Sequence, residues 1–296
     1  MIGVFLLMLC CPKEVFNGAS EGLLLWFQIL FPTLFPFLLI TDLLMATGGI
    51  RMISKVLSVP FGILFRVSGE GSFAVVAGFL CGYPMGAKIT ADLIRNQSIS
   101  VEEGTYLLSF CNNTSPIFIM NFLVWKTLVP SLVILLGTPV VMSFPFRKIY
   151  KSGRKRGGGR NTLGMQRNYI MKKKSVESCM MDSFETIVKV GGYLIIFSVL
   201  LELAEQTGQK NIAATLLLST LEVTNGILMI AKRFPEISTA YPLLIGLTSM
   251  GGICSMAQTQ SMIRGTGLKL SDYIIQKLAT AMAASGFAIL YAKFNF

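Results

Sequence analysis

Polar and ionisable side chains set inside apolar runs are where this chain could do chemistry. Asn112, Asn113, Thr114 and Ser115 stand in CNNTSP, between stretches that read as membrane helix, and Pro116 frees a backbone carbonyl beside them. Together they offer amide and hydroxyl donors and acceptors suited to holding a small solute. Thr224, Asn225, Ser255, Gln258 and Gln260 form a comparable set in the second half. Glu70, in RVSGEGSFAVV, and Glu222, in LEVTNGI, are acids at depths where a charge costs at least about 2.5 to 3.5 kcal/mol, so each is expected to face a cavity or a partner. Intramembrane acids often take up a proton or cation, which makes these two the candidates for coupling. The competing expectation is that the acids sit at an interface and that Asn and Ser bond only between helices.

Other chemistry is excluded by what is missing. The chain has no histidine, hence no imidazole base, no Ser-His-Asp or Cys-His pair and no imidazole metal ligand. Its six cysteines include no C-x-x-C pair and no metal spacing. CGYPMGAK is not a phosphate loop, because only Gly82 and Gly86 precede Lys88, Ile89 follows it, and no strand leads in. An enzyme is not expected, nor is a bound cofactor beyond a coupling proton or cation. The N-glycosylation patterns at Asn96, Asn112 and Asn113 match at the level of chance.

The elements that must position these groups are membrane helices. Of 296 residues, 53% are apolar and 14% charged, with a mean hydropathy of +0.64, where a soluble domain carries about a quarter charged residues. Uncharged runs at 22–41, 104–125, 127–146 and 237–263 are long enough to cross or deeply enter a bilayer, which takes about 20 residues. The segments 71–87, 190–201 and 278–292 are short or glycine-interrupted, and 211–231 carries Glu222 in its middle, so some of these span and some re-enter. Residues 1–11 are too few to assign. Pro32, Pro36 and Pro60 predict kinked helices in the first half.

Two halves are discernible. SEGLLLWFQILFPTLFPFLLITDLL and SFETIVKVGGYLIIFSVLLELAE share an acidic start and an acidic end. CGYPMGAKITADLIRNQSISVEEG and MGGICSMAQTQSMIRGTGLKLSDY align at a constant offset that pairs Gly82 with Gly251, Arg95 with Arg264 and Glu103 with Asp272. Glycine also serves close helix packing. Breaks at matching positions of two halves, however, are the best sequence pointer to a transport site, because unwound backbone at membrane depth must line a cavity.

Formal net charge is +11, and all of the excess lies between Arg147 and Lys174, which hold eleven basic residues and no acidic one. A basic loop between apolar spans belongs on the cytoplasmic face. With only Tyr150 and Tyr169 interleaved, nucleic-acid binding is not expected.

The ordered series FPTLFPFLLITDLL, SGEGSFAVVAGFLCGYPMGAK, LLSFCNNTSPIFIM, LEVTNGI and IGLTSMGGICSMAQTQSMI resembles the sporulation integral membrane protein YlbJ family across nearly the whole chain outside the linker. Relatives of that family carry the Gate, or nucleoside-recognition, domain and are akin to concentrative nucleoside transporters. The resemblance implies a multi-pass protein of the cell membrane or outer forespore membrane of a spore former, importing dipicolinic acid. Met85 stands where the family has a small residue, and CNNTSP replaces its Asn-Ala-Ser-Asn-Pro run. For a planar dianion, Lys88 or Arg95 would supply the charge, Asn112 and Asn113 amide donors, and helix N-termini after Gly82 and Gly86 further donors, with Tyr83, before Pro84, stacking on the ring.

The expectation is therefore an all-α polytopic membrane protein of about eight transmembrane or re-entrant helices in two repeats. Residues 1–146 would form the first repeat, 147–176 a cytoplasmic linker and 177–296 the second repeat. Its partners would be the lipid bilayer and a small organic anion, with self-association left open. The rivals are a nucleoside or other small-solute transporter, and a non-transporting assembly protein. The latter predicts that the two polar sets bond to each other and leave no cavity.

Overall fold

The computed structural model describes residues 2–122, 127–150, 175–205 and 211–296, and these are helical with no strand. The basic linker expected at 147–176 falls largely outside the described residues. In chain order the helices are α1 (Ile2–Cys10), α2 (Pro12–Leu25), α3 (Phe31–Thr47), α4 (Gly49–Phe65), α5 (Gly69–Cys81), α6 (Met85–Arg95), α7 (Val101–Cys111), α8 (Pro116–Phe122), α9 (Leu128–Tyr150), α10 (Val176–Glu205), α11 (Ile212–Ser219), α12 (Val223–Arg233), α13 (Ile237–Met250), α14 (Gly252–Ile263) and α15 (Leu270–Asn295).

Five stretches among the described residues are long and apolar enough to cross a bilayer: Pro12–Thr47, Leu128–Tyr150, Val176–Glu205, Ile237–Ile263 and Leu270–Asn295. A sixth is available if α4 and α5, which meet at an 85° bend, count as one broken span. Exposed faces support this. Met52, Val56, Val59 and Ile63 on α4, and Met282 and Phe294 on α15, leave large apolar side chains uncovered, as lipid-facing positions do. Together with the composition, this is an integral membrane protein of the all-α polytopic class.

Pro32, Pro36 and Pro60 lie within continuous helical segments. A five-residue π turn, Trp26–Leu30, lies immediately before Phe31 and Pro32, and joins α2 to α3 without a gap. Widening the helix there relieves the clash of a proline ring with the preceding carbonyl. Pro36 and Pro60 are carried inside α3 and α4.

Tight packing holds α10 against α2 and α3. Gly18 and Gly22 of GASEG, one helical turn apart, let α2 touch α10 backbone to backbone: a Cβ at either would lie 2.8 Å from the Cα of Val199 or Ile195. The Trp26 indole lies over Gly191 and donates to the Ile187 carbonyl at 2.9 Å. On the other side α15 packs along α13, α9 and α7. These outer helices enclose the shorter, interrupted ones.

Candidate functional site

Four helix interruptions meet at the centre, and each has a local cause. α5 ends at Gly82, whose φ of 80° suits glycine, and the chain turns through Tyr83 and Pro84 into α6. α7 ends at Cys111, and CNNTSP forms the next gap because Pro116 can open α8 but not continue α7. α11 ends at Ser219, and Glu222 caps the start of α12, accepting from the N–H groups of Thr224 and Asn225 at 3.0 and 2.8 Å. α13 ends at Gly251, with φ 82°, where α14 begins.

The interruptions brace one another. A Cβ on Gly82 would lie 2.7 Å from the Ser115 nitrogen, and one on Gly251 would lie 2.7 Å from the Tyr83 ring. The Tyr83 hydroxyl donates to the Ser249 carbonyl at 2.8 Å, and the Thr114 hydroxyl donates to that of Thr248 at 2.7 Å. The amides of Ile253 and Cys254 donate to the carbonyls of Thr220 and Leu221 at 2.7 and 2.9 Å, so donors at the start of α14 are met by the gap before α12.

A cavity of about 90 Å³ lies where these gaps converge. Tyr83, Thr114, Ser115, Glu222, Thr224, Gly251, Ser255 and Gln258 give it polar edges, and Ile29, Leu34, Phe37 and Leu194 of the outer helices give it an apolar wall. Of the residues singled out in the sequence, Tyr83, Thr114, Ser115, Thr224, Ser255, Gln258 and Glu222 line it. Gly82, Pro84 and Gly86 shape the turn beside it. Gly86 is also a packing glycine: its Cα and that of Gly78 face the Cys111 carbonyl so closely that a Cβ on either would overlap it.

The others lie elsewhere. Lys88 bonds Asp42 at 3.1 Å and Asp92 at 2.5 Å, and Arg95 bonds Asp92 at 2.8 Å and the carbonyls of Met262 and Arg264 at 2.6 and 3.0 Å. Both cations are thus neutralised by protein groups away from the cavity. Asp42 is also held by the Ser183 hydroxyl at 2.9 Å, so the cluster joins α3, α6, α10 and the end of α14. Glu70 lies half-buried in the first turn of α5, outside the cavity lining. Asn225 contributes its backbone N–H to Glu222.

Asn112 and Asn113 are buried behind the lining. The Asn112 amide donates to the Thr259 and Tyr273 hydroxyls at 3.0 and 2.9 Å and accepts from the Ala87 N–H at 3.2 Å. Asn113 donates to the Phe110 carbonyl and accepts from the Lys277 ammonium at 2.7 Å. Lys277 is a member of this group that the sequence motifs do not single out. Its ammonium, 0% exposed, also lies 4.9 Å from the Tyr83 ring centre and 5.9 Å from that of Tyr273. The signal was present as a single lysine between the apolar pair Ile274–Ile275 and the run 278–292.

The interrupted helices thus surround a largely apolar cavity with polar edges. Over 320 aligned positions the chain is 25% identical to the sporulation integral membrane protein YlbJ of Bacillus subtilis (strain 168), covering 95% of this chain and 78% of that protein. The chain is thus similar to YlbJ over nearly its whole length. No family model matches it, and no solved structure matches it. The alignment takes in the interrupted helices as well as the outer ones, so the site lies within the region shared with YlbJ.

Proposed function

We propose that this protein is a transporter acting in spore formation, which moves a small organic anion, dipicolinic acid, across a cell or forespore membrane. The observation that carries the reading is the meeting of four helix interruptions around one cavity with polar edges, the arrangement in which unwound backbone at membrane depth is tolerated. The sporulation setting comes from the name of its relative YlbJ. The paired positions of Gly82 and Gly251, both of positive φ at helix ends, support division into two repeats flanking the basic linker. At about 90 Å³ the cavity is smaller than an ordinary ligand pocket, so passage requires the half-helices to part in turn on the two sides.

Glu222 is the better placed of the two coupling candidates, since it lines the cavity at 2% exposure. The assembly-protein alternative required the two polar sets to bond to each other. Instead the Asn112–Asn113 amides bond to Thr259, Tyr273 and Lys277, Glu222 takes the amides of Thr224 and Asn225, and a cavity lies between. A nucleoside would make no use of a buried cation beside the site.

The test is uptake of labelled dipicolinate into proteoliposomes. Saturable uptake is expected, undiminished by excess nucleoside and strongly reduced in Glu222→Gln. Uptake no greater than in protein-free vesicles, from protein that elutes as a single folded species, would overturn the reading.

A further inference from the structure

Lys277 presents an unusual balance of charge. It lies inside the apolar span Leu270–Asn295, its side chain is wholly buried, and no carboxylate among the described residues lies within ion-pair distance. Its contacts are one hydrogen bond, to Asn113 Oδ1, and the faces of two tyrosine rings. An ammonium has three N–H donors, and a buried charge left without a counter-ion is costly. A ring quadrupole repays only part of that cost. The contrast with Lys88, which has two carboxylates, is complete.

The cation also stands next to the cavity. Tyr83 is shared, with its ring under the Lys277 ammonium and in the cavity wall, while its hydroxyl is tied to the Ser249 carbonyl. Thr114 and Ser115, also in the wall, directly follow Asn113. The opposite charge, Glu222, has its carboxylate oxygens occupied by the first amides of α12, so a helix N-terminus offsets it. The neighbouring Gln276, 1% exposed, leaves both amide atoms without a hydrogen-bond partner. This turn of α15 therefore holds unspent positive charge and unspent hydrogen-bonding capacity.

Resting on the transporter reading above, we propose that Lys277, positioned by Asn113 and Tyr83, is the fixed counter-charge that makes the cavity select carboxylate-bearing solutes over neutral ones. In a site shielded from water the field of one ammonium reaches a bound carboxylate across a single aromatic ring. A carboxylate in the cavity completes the charge balance that the protein alone leaves open. Lys88 and Arg95 take no part.

The experiment measures equilibrium binding and proteoliposome uptake of two labelled probes of equal shape, dipicolinate and its neutral diamide. It uses wild type, Lys277→Met, Lys277→Arg and Asn113→Asp. The last keeps Lys277 but sets a carboxylate beside it, and so tests the charge without removing the lysine. Wild type is expected to prefer the dianion. Lys277→Met and Asn113→Asp each weaken dianion binding by about tenfold or more, with little change for the diamide, and Lys277→Arg retains the preference. Should Lys277→Met fail to fold, Asn113→Asp carries the test alone. Dianion binding equal to wild type in Asn113→Asp, or a wild type that takes both probes equally, overturns this inference and leaves transport standing. A wild type that neither binds nor moves either probe overturns the transporter reading and this inference with it.

Discussion

Lys88 and Arg95 illustrate what a charge in an apolar setting can mean. Spacing alone links Lys88 to Asp92 and Asp92 to Arg95, four and three residues apart on one helix face, and the structure makes both pairs. The partner that decides the role of Lys88 is Asp42, brought from another helix, and nothing in the local sequence announces it. Removing one member of a buried pair strands the other, so Lys88→Ala should destabilise the protein by about 3 to 5 kcal/mol, more than Arg95→Ala, whose side chain is 40% exposed. Thermal unfolding in detergent checks the order. The double variant Asp42→Asn, Lys88→Ala should regain much of the loss and, where folded, should bind dipicolinate as wild type does. Loss of binding in that double variant would return Lys88 to the cargo. Lys277 is the converse case: in sequence it bounds the apolar run 278–292, whereas α15 passes through it without interruption.

At the scale of elements, the glycines fall into two kinds that sequence does not separate. Gly86 faces the Cys111 carbonyl and the Asn112 Cα, the latter 2.8 Å from a notional Cβ, so Gly86→Ala should cost about 1 to 3 kcal/mol by overpacking. Gly137, inside α9, has open space around it, and Gly137→Ala should be neutral or stabilise by about 0.5 to 1 kcal/mol. Paired melting curves of the two variants decide this, and equal shifts would refute the packing role of Gly86. The interruptions at Gly82, at CNNTSP and near Glu222 were legible because glycine, proline and a lone acid each oppose a continuous membrane helix. The offset that pairs Gly82 with Gly251 sets Asn112 against Ala281, where α15 runs unbroken, so the gap in the first half has no partner there. How the four gaps converge depended on contacts such as Thr114 with Thr248 and Ile253 with Thr220, between segments far apart in sequence. No periodicity encodes such contacts.

For the whole molecule, charge and topology together predict an orientation that can be measured. α9 ends at Tyr150 and α10 begins at Val176, so these two spans enter the residues between them from one face of the membrane. Nine of the eleven basic residues from Arg147 to Lys174 fall there with no acidic one, and positively charged loops are as a rule retained on the cytoplasmic side. With the linker on that side, Glu205, exposed at the far end of α10, is expected at the opposite face. In a variant lacking the six native cysteines, a cysteine introduced by Ser152→Cys should react with a membrane-impermeant maleimide only after the cells are opened. One introduced by Glu205→Cys should react in intact cells. Reversal of both patterns would place the linker outside, and labelling of both positions in intact cells would mean that α10 does not cross, which would remove the wall that Leu194 gives the cavity.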